Sequence, residues 1–163
     1  VKTNWYINDQ KIARRFSDMG LRGERKAQAL GAMGNAIKNR VVLGFRLGQS
    51  PWGVPWKPIN PAFRVGQPLR NKGQLQRSIN SRVIGNAAVV GTNIISARVH
   101  QFGAIIRPRN AGALAFMSRG GLVLAQSVRI PARPFMPIKG NTVDLPATWR
   151  RSAYNALRKV MKL

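Results

Sequence analysis

Cysteine is absent from this 163-residue chain, which excludes disulfides, thiolate catalysis and cysteine-bound zinc and fits a reducing compartment. Acid is nearly as scarce: Asp9, Asp18, Glu24 and Asp144 are the four carboxylates, and none lies between Glu24 and Asp144. One histidine, His100, is present. General acid/base work needs two titratable groups in one pocket and a metal needs several converging ligands, and this inventory offers few such combinations. Neither a Walker A loop, a GxSxG elbow nor a GxGxxG fingerprint occurs. An enzyme is therefore the least supported class, and no cofactor or metal is expected. No apolar run approaches the roughly 20 residues that span a bilayer, and the first residues carry no apolar stretch of the signal-peptide kind.

What is present is base. Twenty-eight Lys and Arg give a formal charge of +24, and self-repulsion on that scale points to a polyanion or an acidic protein neighbour as the working partner. The bases come as singles and pairs such as Arg14-Arg15, Arg25-Lys26, Arg150-Arg151 and Arg158-Lys159. Disordered nucleic-acid-binding tails instead carry blocks of about five or more like charges, so the charge sits on a folded body. Arginine outnumbers lysine 19 to 9, and its planar fork suits bidentate contact with phosphate or carboxylate. The plainer reading is a basic surface kept for solubility, although soluble domains normally mix both signs. With 44% apolar residues the chain can bury a core, and its length fits one domain spanning 1–163.

Spacings of three and four among Leu30, Met33, Ile37, Val41 and Phe45 predict a long helix ending near Gly44 to Gly48. Ile7, Ile12, Phe16 and Met19 predict a shorter helix before it, with Asp9, Asp18 and Glu24 placed at helix starts or paired with nearby Arg. Residues 49–68 hold five prolines together with Trp52 and Trp56, which predicts an ordered, extended loop. Its two Trp either pack against the long helix or stack on nucleobases. A short helix is expected over Lys72 to Ile79 with Leu75 and Ile79 inward. A hairpin follows, Ile79 to Ile84 and Ala87 to Thr92 around Gly85-Asn86. Then come a short helix over Ile94 to Gln101, a third strand over Ala104 to Arg107 and a fourth over Leu122 to Ile130. Between those strands lies a flexible insertion, 108–121. Pro131, Pro134 and Pro137 end the sheet. Asp144 is placed to cap a last helix with Pro146 in its first turn and Trp149, Ala153, Ala156, Leu157 and Val160 buried. Helices at both ends of a small antiparallel sheet make an α+β domain.

No helix-turn-helix, zinc-finger or RNA-recognition signature is visible, so contact with nucleic acid would be nonspecific. The proline-rich middle argues against a membrane-surface peptide. His100 reads as a hydrogen-bonded structural residue rather than a base, since no carboxylate is near it in sequence.

Particular words in the chain carry more than its composition. Ala97-Arg98-Val99-His100-Gln101-Phe102-Gly103, followed by Ile130-Pro131-Ala132-Arg133-Pro134-Phe135-Met136, resembles the paired signature of the Mu-type phage virion morphogenesis family, the tail completion proteins. Ser50-Pro51-Trp52-Gly53 with Trp56-Lys57-Pro58, Gly73-Gln74-Leu75 with Ser78-Ile79, and Val90-Gly91-Thr92 match further words of that family in order. The chain departs from its pattern at Trp52, where members commonly carry Asp, and at Ser96, where they carry an aromatic. The resemblance runs from about Arg40 onward. It implies a non-enzymatic virion component at the head-to-tail junction: a ring of identical subunits, a hexamer or a dodecamer. Such a ring would complete or terminate the tail around the DNA channel, assembled in the host cytoplasm between neck or connector proteins and the tail tube. The alternative is a stand-alone, sequence-nonspecific nucleic-acid-binding module.

The residues expected to matter follow from the same words. His100, Gln101 and Phe102 precede Gly103, and a turn with Gly103 at positive φ would send Phe102 to a core and the polar pair to backbone groups. That turn either locks sheet to helix or contacts a neighbouring subunit. The rigid segment Pro131, Arg133, Pro134, Phe135 costs little entropy to dock, on a neighbour or on the domain's own helix. Arg107, Arg109 and Arg119 reach into a lumen or clasp an adjacent ring, or simply decorate a solvent loop.

Overall fold

A computed structural model of the chain describes residues 6–7 and 23–161. In chain order these form β1 (Tyr6–Ile7), α1 (Gly23–Leu47), α2 (Gln74–Ser78), β2 (Asn80–Ile84), β3 (Ala87–Gly91), α3 (Ala97–Phe102), β4 (Ala104–Ile106), β5 (Leu114–Ser118), β6 (Gly121–Ala125), β7 (Val128–Ile130), β8 (Ile138–Lys139), β9 (Thr142–Val143) and α4 (Ala147–Met161). The architecture is α+β: long helices near both ends flank small antiparallel sheets.

The long helix α1 forms where the spacing predicts it. Leu30, Met33, Ile37, Val41 and Phe45 are all buried, one stripe of a 3.6-residue period. Glu24 in its first turn and Arg46 in its last suit the helix dipole, and Glu24 accepts from Gln28 Nε2 at 3.2 Å. Gly34 lets the helix come close to the sheet, because a Cβ there would run into the Ser81 hydroxyl and lie 3.4 Å from the Ala88 methyl. On another side α1 packs along α4, and Arg40 Nε donates to Ser152 Oγ at 2.9 Å across that seam.

The main sheet has the order β1-β3-β2, so β3 is central. Its register pairs Arg82 with Val89 and Asn80 with Gly91. Ala88 and Val90 enter the common core, and Val89, on the opposite face by strand alternation, is buried as well. Ile7 thus belongs to an edge strand beside Ala88 rather than to a helix; Ile12, Phe16, Met19, Asp9 and Asp18 lie outside the described residues.

Several expectations are corrected. The predicted fourth strand is two, β6 and β7, separated by Gln126-Ser127. β6 turns back on β5, so part of the stretch read as a loop between strands is the first arm of a hairpin, while β7 pairs with β4. Instead of one sheet, the described residues form four small ones, including a β8–β9 hairpin beyond the prolines. Asp144 does not cap α4: its carboxylate faces Trp52 and Lys139, and the helix starts on the Pro146 carbonyl, which accepts from Trp149 and Arg150. Trp149, Ala153 and Leu157 are buried as read, Ala156 is half-buried, and Val160 is exposed while Met161 packs on the core.

Candidate functional site

The two signature words meet in space, and Gln101 joins them. Helix α3 ends at Gly103, whose φ of 75° and ψ of 165° lie in backbone space that is essentially glycine's. A Cβ there would sit 2.9 Å from the Ala132 nitrogen and 3.0 Å from the Ile130 oxygen, so the residue also permits a close backbone approach. The Arg133 N–H donates to the His100 carbonyl at 2.7 Å. Gln101, 2% exposed, accepts at Oε1 from the N–H groups of Phe135 and Met136, each at 3.0 Å, and donates from Nε2 to the Met136 carbonyl at 3.0 Å. Segment 133–136 has no strand partner, and Gln101 supplies the pairing that buried peptide groups require.

The Pro/Trp loop is the third member. Gly48 and Trp56 close it, the Trp56 N–H donating to the Gly48 carbonyl at 2.8 Å, with a bridge between Gln49 and Pro55. Trp56 is buried; its ring meets Phe45 edge-on at 5.5 Å and its Nε1 donates to the Pro134 carbonyl at 2.7 Å. Phe135 lies against Phe45 from the other direction, ring centres 5.4 Å apart. Arg133 donates from Nε to the Lys57 carbonyl at 2.8 Å and from Nη2 to the Pro58 carbonyl at 3.0 Å. Trp52 sits elsewhere: its Nε1 donates to Asp144 Oδ2 at 3.0 Å, and the Lys139 ammonium lies 4.9 Å from its ring centre. Lys139 Nζ in turn reaches Asp144 Oδ2 at 2.7 Å, and that donor above all holds the Asp144 carboxyl below the usual carboxylate range.

Within the described residues, Trp56 and Phe135 both pack on Phe45 of the long helix, whereas Trp52 is held by Asp144 and Lys139 instead. Two expectations fail. Phe102 does not enter the core but is 39% exposed, because the α3 face that packs inward carries Ala97 and Gln101. His100 engages the fold through its carbonyl, not its ring, whose buried Nδ1 has no hydrogen-bond partner. Burial, and then the Arg133 charge, lower the imidazole pKa.

Beside this junction is a cavity of about 780 Å3 whose wall includes Phe63, Leu75, Ile94 and Pro131 together with Arg64, Lys72, His100, Arg129 and Arg133. Burial, with Arg64 next, also lowers the Arg133 pKa. Among the described residues no carboxylate lines the cavity, so its basic wall can accept an anion. Arg107, Arg109 and Arg119 are exposed, and Arg119 is held through its backbone N–H on the Ala62 carbonyl at 3.0 Å. Sequence reasoning missed the Asp144–Lys139–Trp52 cluster, in which the β8–β9 turn brings Lys139 to Asp144 and the Pro/Trp loop brings Trp52 from 92 residues away. It also missed the β5–β6 hairpin, although alternating residues on either side of Arg119-Gly120 were a readable signal.

No group of three or more potential metal-ligating side chains occurs among the described residues, and no helix there is long and apolar enough to cross a membrane. No solved structure matches the chain. A curated protein of Haemophilus influenzae, "Mu-like prophage FluMu G protein 2", is 31% identical over 129 residues, covering 79% of this chain and 78% of the relative. Residues 7–144 match the family described as the phage virion morphogenesis family, and that span contains the α3 turn, the 130–136 segment and the Pro/Trp loop. The chain therefore belongs to the phage virion morphogenesis family and is a structural protein of the phage virion and its tail rather than an enzyme.

Proposed function

We propose that the chain is the repeating subunit of a ring at the head-to-tail junction, a hexamer or a dodecamer. The ring completes or terminates the tail and joins it to neck or connector proteins around the channel through which DNA passes. The observation that carries this reading is uncompensated charge on a rigid body. From residue 23 to residue 161 the chain holds two carboxylates, Glu24 and Asp144, and Asp144 is engaged by Lys139. The signature residues are consumed in holding α3, segment 130–136 and the Pro/Trp loop together, which leaves the exposed bases as the working surface. A ring multiplies that charge and repels itself unless DNA or acidic neighbouring rings offset it, so the assembled junction is where such a subunit is stable.

The test is direct imaging and native mass measurement of the purified chain, alone and with double-stranded DNA or isolated tails. A closed ring is expected; a monomer persisting at high concentration under all three conditions overturns the reading. A free, nonspecific DNA-binding module would instead stay small and lose affinity linearly in log salt through counterion release. For the exposed arginines, the combined variant Arg107→Ala, Arg109→Ala, Arg119→Ala is expected to fold normally and to impair head-to-tail joining or genome retention. Normal infectivity of that variant would remove those side chains from the mechanism.

A further inference from the structure

The β5–β6 hairpin has two unlike faces. Its inner face carries Phe116, whose ring packs on Phe63 with centres 5.8 Å apart. On the outer face Met117 stands directly across from Leu122, and Ala115 from Leu124. Met117, Leu122 and Leu124 are 72%, 66% and 67% exposed, an adjacent apolar group of the kind that marks an interaction surface. The two strands form a sheet by themselves, with no third strand on either edge among the described residues. A hairpin covered on one face only is marginal, and unpaired strand edges invite another chain.

Charge identifies the partner. From residue 110 to residue 128 the chain carries one charged side chain, Arg119 at the turn, although 28 bases are spread over its 163 residues. A nucleic acid or an acidic protein would gain from bases here, and the surface withholds them. A second copy of this chain is the partner for which their absence matters, because two bodies of +24 repel wherever their bases approach. Depletion of charge at the centre is also what a protein–protein contact requires.

A ring needs two different surfaces on each subunit, one given and one received. The receiving surface that fits is the groove of about 390 Å3 beside β4, whose lining includes Phe102, Ile105, Ile130 and Pro131 together with the bases Lys57 and Arg129, so only an uncharged face can seat there without base meeting base; Ile105 is 52% and Phe102 39% exposed. We propose that the outer face of the β5–β6 hairpin of one copy seats on the β4 groove of the next through Met117, Leu122 and Leu124. This rests on the ring reading above and adds the contact that builds it.

The absence of native cysteine makes the test clean. Leu122→Cys and Ile105→Cys chains, carrying different affinity tags, are co-expressed and treated with a short bis-maleimide. The expected product is the mixed 122–105 pair, formed several-fold more than when Ile95→Cys replaces Ile105→Cys as an exposed control. Linking no better than the control, or only between two 122 positions, overturns the proposal. In parallel, Met117→Lys with Leu122→Lys is expected to leave the circular dichroism spectrum unchanged and to yield monomer at concentrations where the unaltered chain assembles. If the unaltered chain assembles and the double variant assembles equally well, the hairpin contact fails while the ring stands. If the unaltered chain never assembles, both fail.

Discussion

Gln101 grips Met136 from both sides of one residue: its Oε1 accepts the Met136 N–H and its Nε2 donates to the Met136 carbonyl, each at 3.0 Å. With the Phe135 N–H on the same oxygen, one side-chain amide replaces the strand that this buried segment lacks. Gln101→Ala leaves the Phe135 and Met136 N–H groups buried and unpaired, at about 1–3 kcal/mol for each, while the Met136 carbonyl keeps the Ile138 N–H at 2.8 Å. A stability loss of about 2 kcal/mol or more is expected from urea unfolding, and Gln101→Glu, which keeps the acceptor and loses the donor, should fall between. A midpoint unchanged by Gln101→Ala would show that the grip contributes little.

Gly103→Ala tests the close approach beside it. A methyl 2.9 Å from the Ala132 nitrogen meets backbone that cannot swing aside, and the left-handed φ adds strain of about 1–3 kcal/mol. The variant is expected to lower the thermal midpoint markedly and to loosen the exchange protection of the Arg133 amide. Protection equal to that of the unaltered chain would refute the packing argument.

Phe45→Ala removes the ring that Trp56 and Phe135 share. At 0% exposure the expected cost is about 3–5 kcal/mol, transfer plus cavity. Because Trp56 loses its edge contact, its fluorescence should also change in the folded state. Denaturation should then begin with the Pro/Trp loop, read as early loss of Trp56 Nε1 protection.

His100 makes stability depend on pH. Its pKa is lowered in the fold by burial and then by Arg133, so the unfolded chain binds the proton more tightly. Stability should therefore decline as pH falls from the unfolded value near 6.5 toward the lower folded one, with a slope no steeper than about 1.4 kcal/mol per pH unit. The residue is only partly buried, which reduces the total effect. His100→Gln should flatten this part of the profile; an identical slope in the variant would assign it to other groups.

Asp144 acts in the opposite sense. Its pKa is lowered by the Lys139 donor above all, so its contribution is present above its unfolded value of 3.8 and is lost as pH falls through the folded value. Asp144→Asn is expected to match the unaltered chain at the most acid pH and to be less stable near neutrality. Equal stability at both ends would discount the cluster with Trp52.

The sequence determined what periodicity and local chemistry can encode. The stripe from Leu30 to Phe45 specifies α1, Gly85-Asn86 between β-forming arms specifies β2–β3, and Gly103 announces a turn no other residue makes easily. The absence of cysteine and acid set the chemical class, and the ordered words of residues 97–103 and 130–136 marked the family. Tertiary structure decided the rest, because each remaining feature depends on partners distant in the chain. Phe102 faces outward because Gln101 takes the inward position to reach Met136, and Asp144 leaves the helix start because Lys139 and Trp52 draw it away. The stretch from Leu114 to Ala125 becomes a hairpin with one face on Phe63, leaving Met117, Leu122 and Leu124 uncovered. No local pattern states which of two apolar faces a hairpin buries; only the packing of the whole chain does.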